Sequence, residues 1–417
     1  MCGIYENSYL TIAATSSPDC HGGVQYWKNR ELFKVTGFTV NKSPVNISLF
    51  ALPEDFYFYG DVPLLHRAWA LQERMMSPRV VHFMPDKVVL ECNGGFLSES
   101  RKEPLIYGYV DKPDYHTSLS SDSLESKAIV WRTLIKTYSK SALSFPSDKF
   151  PAISGLARHM AKHRAGARYL AGLWSDSLAA DLLWMGPGWA NRHETRAKPW
   201  RAPSWSWASW DCEINYLPLD FDPNSPRISQ LFVLRDVSIR LATADPTGRL
   251  SAASLTVSGQ LADASICLSS EAPSFKIPDN VTSLKHTVKG YTEAYIDEQD
   301  GLKPTQIHEY LTSRQIKSLR VTHGKLNVTE EIGSTEHVEY ALLLQKVDGS
   351  STDYERVGVA EEVRYWVSDD DPRLDRYRRY LVNPPIQVDV PPEDCNTWDY
   401  RPSVFEMGAV EETIRIV

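Results

Sequence analysis

The chain has 417 residues, a formal net charge of -8, and ordinary apolar, aromatic and charged content. This composition excludes disorder throughout and argues for two or three packed units rather than one domain. Lys and Arg are scattered among more numerous acids, which excludes nucleic acid as the main partner, because a polyanion needs a concentrated basic face.

In chain order, Ile4 to Ala14 reads as the end of a helix running into a buried β-strand. No cap residue or leader precedes it, so the opening is expected to be an interior position of a larger domain. A turn rich in Ser, Pro, Asp and Gly follows, from Ser16 to Gly23. From Pro63 to Met76 the residues Leu64, Leu65, Ala68, Trp69, Leu71, Gln72 and Met75 recur at helical spacing, and Pro78 stops the helix. Val80–Phe83 and Val88–Cys92, joined through Pro85-Asp86-Lys87, predict a hairpin. Ser98–Ser126 is polar and turn-rich and predicts a linker.

Amphipathic helices are expected over Ala128–Tyr138 and over Lys149–His163, the second capped by Ser147 or Asp148. Tyr169–Trp184 continues in the same style. Seven of the chain's 12 tryptophans fall between Trp174 and Trp210. Beyond Asp211 the pattern turns alternating and β-branched, at Gln230–Leu241, Ser254–Leu261 and Val338–Lys346, with a turn at Asp245-Pro246-Thr247-Gly248. The organisation expected is α+β: a compact α/β piece over 1–97, a linker over 98–126, a Trp-rich, mainly helical region over 127–215, and a β-rich domain over 216–417.

Six cysteines (Cys2, Cys20, Cys92, Cys212, Cys267, Cys395) form neither a C-x-x-C pair nor a disulfide framework, which fits a reducing compartment. Sequons at Asn46, Asn280 and Asn327 matter only in a secreted chain, and no signal peptide is legible. No apolar run approaches the roughly 18 residues that span a bilayer. A cytoplasmic protein is expected.

Candidate chemistry is sparse. Arg67, Glu73 and Arg74 sit on one short helix, where they can form an inward polar cluster with Glu91 or bridge the helix to the hairpin as an ion pair; buried charges are normally paired, which favours the bridge. Trp205 and Trp207 alternate as on a strand with one face in a core, with Trp174 in the same core; an aromatic ligand platform is the other reading. His159 and His163 have the i,i+4 spacing of a zinc pair, yet no acid in H-E-x-x-H order and no third ligand accompanies them, and His193-Glu194 does not continue into such a motif. Cys92 with His82 across the predicted hairpin is the one Cys/His pairing to consider, and Glu91 beside it opposes a reactive thiol. Ser154-Gly155 lacks a nucleophile elbow, and no phosphate loop occurs. No metal, no cofactor and no catalytic residue are assigned.

Three separated strings carry a family likeness. The first is Tyr5 to Ala14, including Tyr5, Thr11 and Ala13, followed by Asp19 and Gly22-Gly23. The second runs Pro63-Leu64-Leu65-His66-Arg67-Ala68-Trp69-Ala70-Leu71-Gln72-Glu73-Arg74-Met75 and on to the strand ending Glu91-Cys92. The third comprises Asp148–Ala157, Tyr169–Trp174 and Arg201–Ser209. Together they resemble the fungal heterokaryon-incompatibility (HET) domain family, through its "T-I-A-A" stretch, its "R-x-W-x-x-Q-E-R" signature and the region that follows the domain. The family's upstream elements, a strand with a Trp-Gly pair and a "W-I-D-x-x-C-I-N-Q" string, have no counterpart here.

The resemblance implies a partial α/β domain distantly similar to the Toll-receptor (TIR) fold. It also implies non-self recognition and regulated cell death of fused fungal cells, acting through protein partners. Some relatives of that fold cleave NAD with a catalytic glutamate, so a NAD-consuming or secondary-metabolism enzyme on the same scaffold is the alternative. A decayed, truncated gene product with exposed apolar sheet edges is a third.

Overall fold

The computed structural model describes residues 2–24, 33–40, 43–49, 62–84, 88–98, 110–186, 196–217, 230–268, 273–276, 289–296, 316–327, 335–365 and 409–417. The chain divides into two compact units, Met1–Gly166 and Ala167–Val417. Both mix helix and sheet, and helices concentrate in the first.

The first unit begins with α1 (Cys2–Glu6) and β1 (Thr11–Ala13), followed by a backbone hairpin of β2 (Phe33–Val40) and β3 (Ser43–Leu49). A 3₁₀ turn over Pro63–His66 leads into α2 (Ala68–Met76), then β4 (Arg79–Phe83), β5 (Val88–Cys92) and β6 (Gly95–Ser98). The helices α3 (Lys112–Ser120), α4 (Leu124–Ser139) and α5 (Ser154–Ala161) complete it. One sheet has the order β1-β4-β5-β6, with β1 parallel to β4 and the other pairs antiparallel. Parallel neighbours need a crossover, and α2 lies in this one.

β4 and β5 are Val-rich and alternate in burial, so Val80, His82, Val89 and Glu91 all turn to the buried face. Two of those four are polar. Strand β1 is an edge whose central Ile12 stays 64% exposed, so the buried strand expected there is a half-buried edge.

The segment expected to be a linker is folded over its described part. Asp111 caps α3 by accepting from the Asp114 amide at 2.7 Å, Pro113 sits in the first turn, and Lys112, Tyr115 and Leu119 make its buried stripe. A stripe with one Lys and one Tyr carries too little apolar signal for periodicity to register. Ser123 caps α4 in the same way at 3.2 Å, and the helix buries Val130, Trp131, Leu134, Ile135 and Tyr138. The helix expected over 149–163 is shorter than its pattern. Two 3₁₀ turns, Pro146–Asp148 and Pro151–Ile153, precede α5, and neither Ser147 nor Asp148 caps it.

The second unit opens on a tight hairpin of β7 (Tyr169–Leu170) and β8 (Leu173–Trp174), then one short helix α6 (Leu178–Asp181). β9 (Trp184–Met185) pairs with β10 (Asn215–Tyr216). Of the mainly helical region expected over 127–215, α4 and α5 are helices of the first unit, while the described part from 167 on is mostly turns and short strands. Its spacing is set by buried tryptophans rather than by a helical face.

Long strands follow: β11 (Val233–Leu241), β12 (Leu250–Leu268), β13 (Pro273–Lys276), β14 (Lys289–Ile296), β15 (Ile316–Asn327), β16 (Thr335–Lys346), β17 (Asp353–Tyr365) and β18 (Val410–Ile416). The β-rich end expected from alternation is present. Within its 8-stranded sheet, the pairings β12–β15, β15–β16, β16–β17, β17–β18 and β18–β12 close a barrel-like ring. Only β17–β18 is parallel in that ring. Leu255, Val257, Leu319, Leu342, Val359, Ile414 and Ile416 are buried along it. Closure satisfies strand edges that would otherwise face water. Among the described residues, no helix is long and apolar enough to cross a membrane.

Candidate functional site

A charged cluster lies under α2 in the first unit. α2 is buried around most of its circumference, so the polar Gln72 and Arg74 are buried on either side of the Leu71 and Met75 face. Arg74 donates from Nε to Glu91 Oε2 at 2.8 Å and from a terminal nitrogen to Oε1 at 2.7 Å, a bidentate pair across the helix–sheet interface. Glu91 is fully buried, and its Oε2 also meets His82 Nε2 at 3.0 Å.

The remaining partners fix the imidazole's tautomer. Burial drives His82 toward its neutral form, against the pull of Glu91. Neutral His82 then donates from Nε2 to Glu91 and accepts at Nδ1 from the Thr15 hydroxyl, 2.9 Å away. Burial by itself would push the Glu91 carboxyl up. The Arg74 guanidinium and the hydrogen bonds from His82 and Arg74 outweigh it, holding the group well below the usual carboxylate range. Lys112, buried on α3, donates to the Ser77 carbonyl, and burial pulls its ammonium down to about 8 despite Glu91 nearby.

Contacts to α2 come from several elements of the unit. Tyr5 shares a hydrogen bond with Glu73, and burial with that bond pushes the phenol up to about 12. Thr11 Oγ1 lies 2.8 Å from Ser77 Oγ, which also donates to the Glu73 carbonyl at 2.7 Å. The Trp69 indole donates to Asp148 at 3.2 Å, and the Gly155 amide donates to Gln72 Oε1 at 2.6 Å. A Cβ on Gly155 would lie 2.7 Å from that oxygen and 2.0 Å from Cys2 Sγ, so only glycine allows the approach. Arg67 is exposed, and its extended backbone lets Ala68 donate to the Ala142 carbonyl at 3.0 Å in place of a side-chain cap.

Of the residues singled out from sequence, Arg74 and Glu91 meet, Glu73 turns to Tyr5 instead, and Arg67 joins neither. The ion pair is the helix-to-hairpin bridge. Ala13 is buried opposite His82 in the β1–β4 register. The Cys92–His82 pairing does not form: Cys92 stands opposite Arg79 and His82 opposite Val89, so the two side chains leave opposite faces of the hairpin. The sequence set His82 beside Cys92 rather than Glu91, and Thr15 and Lys112 were missed. A polar residue at a buried position of an otherwise apolar strand was the available signal for His82.

The second unit holds the tryptophan core. Trp174, Trp184, Trp205 and Trp207 are all fully buried. Trp205 and Trp207 lie in a turn and a 3₁₀ segment (Trp207–Ser209), not on a strand, so alternation was a false cue to a correct burial. Trp184 donates to the Trp205 carbonyl at 2.9 Å, and Trp207 to the Gly172 carbonyl at 3.1 Å. Arg201 ties the loop by a two-nitrogen grip on Asp211, at 2.7 and 3.2 Å. Arg356, fully buried, stacks 3.3 Å from the Trp184 ring centre and donates to the Leu182 and Trp184 carbonyls. Ser204 bonds both the Arg356 amide, at 2.9 Å, and the Val417 carbonyl, which joins this block to β17 and β18.

His159 and His163 meet edge to face, with ring centres 5.3 Å apart. Among the described residues, no group of three or more His, Cys, Asp or Glu is placed to hold a metal ion. His193 and Glu194 lie outside the described residues, as do the 85–87 turn and Asn280. No family model, curated protein or solved structure matches the chain.

Proposed function

We propose that this protein is a heterokaryon-incompatibility-type factor, acting in the cytoplasm in non-self recognition and cell-death signalling through protein partners. Residues 1–97 of the first unit are then a partial, TIR-like HET domain, and the cluster under α2 holds that domain together rather than reacting with a substrate. One observation supports the reading above others. The first two strings and the Asp148–Ala157 part of the third converge on one helix, through Tyr5–Glu73, Thr11–Ser77, Arg74–Glu91, Trp69–Asp148 and Gln72–Gly155. A family pattern that encodes a packed core brings its strings together in this way.

The structural role of the cluster follows from its saturation. Both oxygens of Glu91 accept hydrogen bonds within the cluster, and the carboxylate is fully buried, which closes it to an incoming sugar or ring. The test has two parts. Induced expression of the chain in a filamentous fungal host should arrest growth or kill cells on fusion with a strain carrying its partner. The purified chain should leave NAD intact over hours. Reproducible NAD turnover, lost in Glu73→Gln or Glu91→Gln, would replace this reading with the enzymatic one.

A further inference from the structure

We infer that His116 and His159, with the His163 ring packed beside them, form an acid-sensitive latch between α3 and the C-terminal end of α5, closed while the His116 and His159 imidazoles are neutral and loosened when they take protons. The inference is independent of the proposed function. The three rings lie in a row: the centre of His159 is 6.1 Å from that of His116 and 5.3 Å from that of His163. Tyr115, fully buried on α3, places its hydroxyl 2.9 Å from His159 Nδ1 and its ring 5.8 Å from the His159 ring.

The hydrogen bond sets the mechanism. Burial pushes the Tyr115 phenol up, so it remains a hydroxyl, which donates to His159 Nδ1 in the imidazole's Nε2–H tautomer. Protonating His159 at Nδ1 reverses that bond: the imidazolium donates to the phenol oxygen, and the buried Tyr115 hydrogen loses its acceptor. His116 Nε2 is buried with no hydrogen-bond partner among the described residues, so a proton added there would also find no acceptor.

The surrounding charges do not relieve the latch. From α3 the imidazoles face Lys112 and Tyr115, and from the end of α5 they face Lys162. From α1 they face Glu6, whose carboxylate already pairs with Lys162 at 3.5 Å. Burial, followed by the neighbouring imidazoles, pulls His116 down to about 4, and the same causes lower His159.

The direction with pH follows. A base whose folded pKa is depressed binds fewer protons folded than unfolded. Its contribution to stability is therefore whole above about 6.5, and it declines as pH falls from there toward 4. The rings are partly solvated, which shrinks the effect, so local opening of α3 should rise roughly tenfold between pH 7.5 and 5.

The experiment uses the intact chain. Histidine C2–H resonances are titrated by NMR from pH 7.5 to 4.5, and amide exchange across α3 and α5 is measured at each pH, corrected for intrinsic rates. His116 is expected to titrate at least one unit below a free imidazole, in step with loss of protection over Tyr115–Leu119. His116→Gln and His159→Gln should flatten that pH dependence, while His66→Gln, on the exposed turn before α2, should not. Titration of His116 near the free value would overturn the latch, and wild-type protein alone decides that point if a variant fails to fold. So would protection in α3 that holds steady down to pH 5.

Discussion

Replacing Arg74 with Met tests the physical reading of the buried cluster most directly. The substitution keeps the length and apolar stem of the side chain and removes two hydrogen bonds, of 2.8 and 2.7 Å, from a fully buried carboxylate. Glu91 is then left with His82 as its partner within the cluster. Breaking one side of a buried pair costs about 3–5 kcal/mol. A second route gives a similar figure. If Glu91 escapes by taking a proton, neutralising a group of ordinary pKa 4.5 at pH 7 costs about 3 kcal/mol.

The two routes also fix the pH dependence. In the wild-type chain the lowered Glu91 pKa contributes stability above about 4.5 that is lost as pH falls further. In Arg74→Met the loss is largest at pH 7 and shrinks to about 1 kcal/mol at pH 5, where the proton is nearly free to bind. Arg74→Met with Glu91→Leu removes both charges and should lie within about 1–2 kcal/mol of wild type. Urea unfolding followed by ellipticity at 222 nm reports on the first unit, because its described helices include α2, α3, α4 and α5. A cost below about 1 kcal/mol for the single change, or a double variant as damaged as the sum of both singles, would refute the reasoning.

Three further changes probe the second unit. Trp205→Ala, at a fully buried ring, should cost about 3–5 kcal/mol in thermal unfolding followed by near-ultraviolet circular dichroism; a variant of unchanged stability would place Trp205 outside the core. In the β7–β8 turn Ala171 has φ 46° and Gly172 φ 98°, the left-handed pair that a two-residue hairpin requires. Ala171→Gly should raise stability by at most about 1 kcal/mol. Gly172→Ala should lower it by more than that, because its Cβ would also stand 2.5 Å from Trp207 Nε1. Equal effects of the two substitutions would show that the turn rearranges freely.

What the sequence determined by itself was local. The Val-rich alternation of β4 and β5, the stop at Pro78, the 245–248 turn and the alternating strands of the C-terminal end all follow from steric preferences within a few residues. So did the burial of Trp205 and Trp207, since rings of that size rarely find another place. Pairings between distant segments were decided only in three dimensions. Sequence placed Arg74 and Glu73 on one helix, but which of them reaches Glu91 depends on which face the sheet presses against α2. Nothing local marks Lys112 for burial, Arg356 for Trp184, or His116 as the third ring beside His159 and His163. The polar residues of 110–123 read as a linker because each is hydrophilic taken singly; α3 forms because tertiary contact supplies the partners that make a buried Lys and Tyr tolerable. A hydrogen bond or ion pair is worth something only after both groups leave water together, and that condition belongs to the packed chain rather than to any window of its sequence.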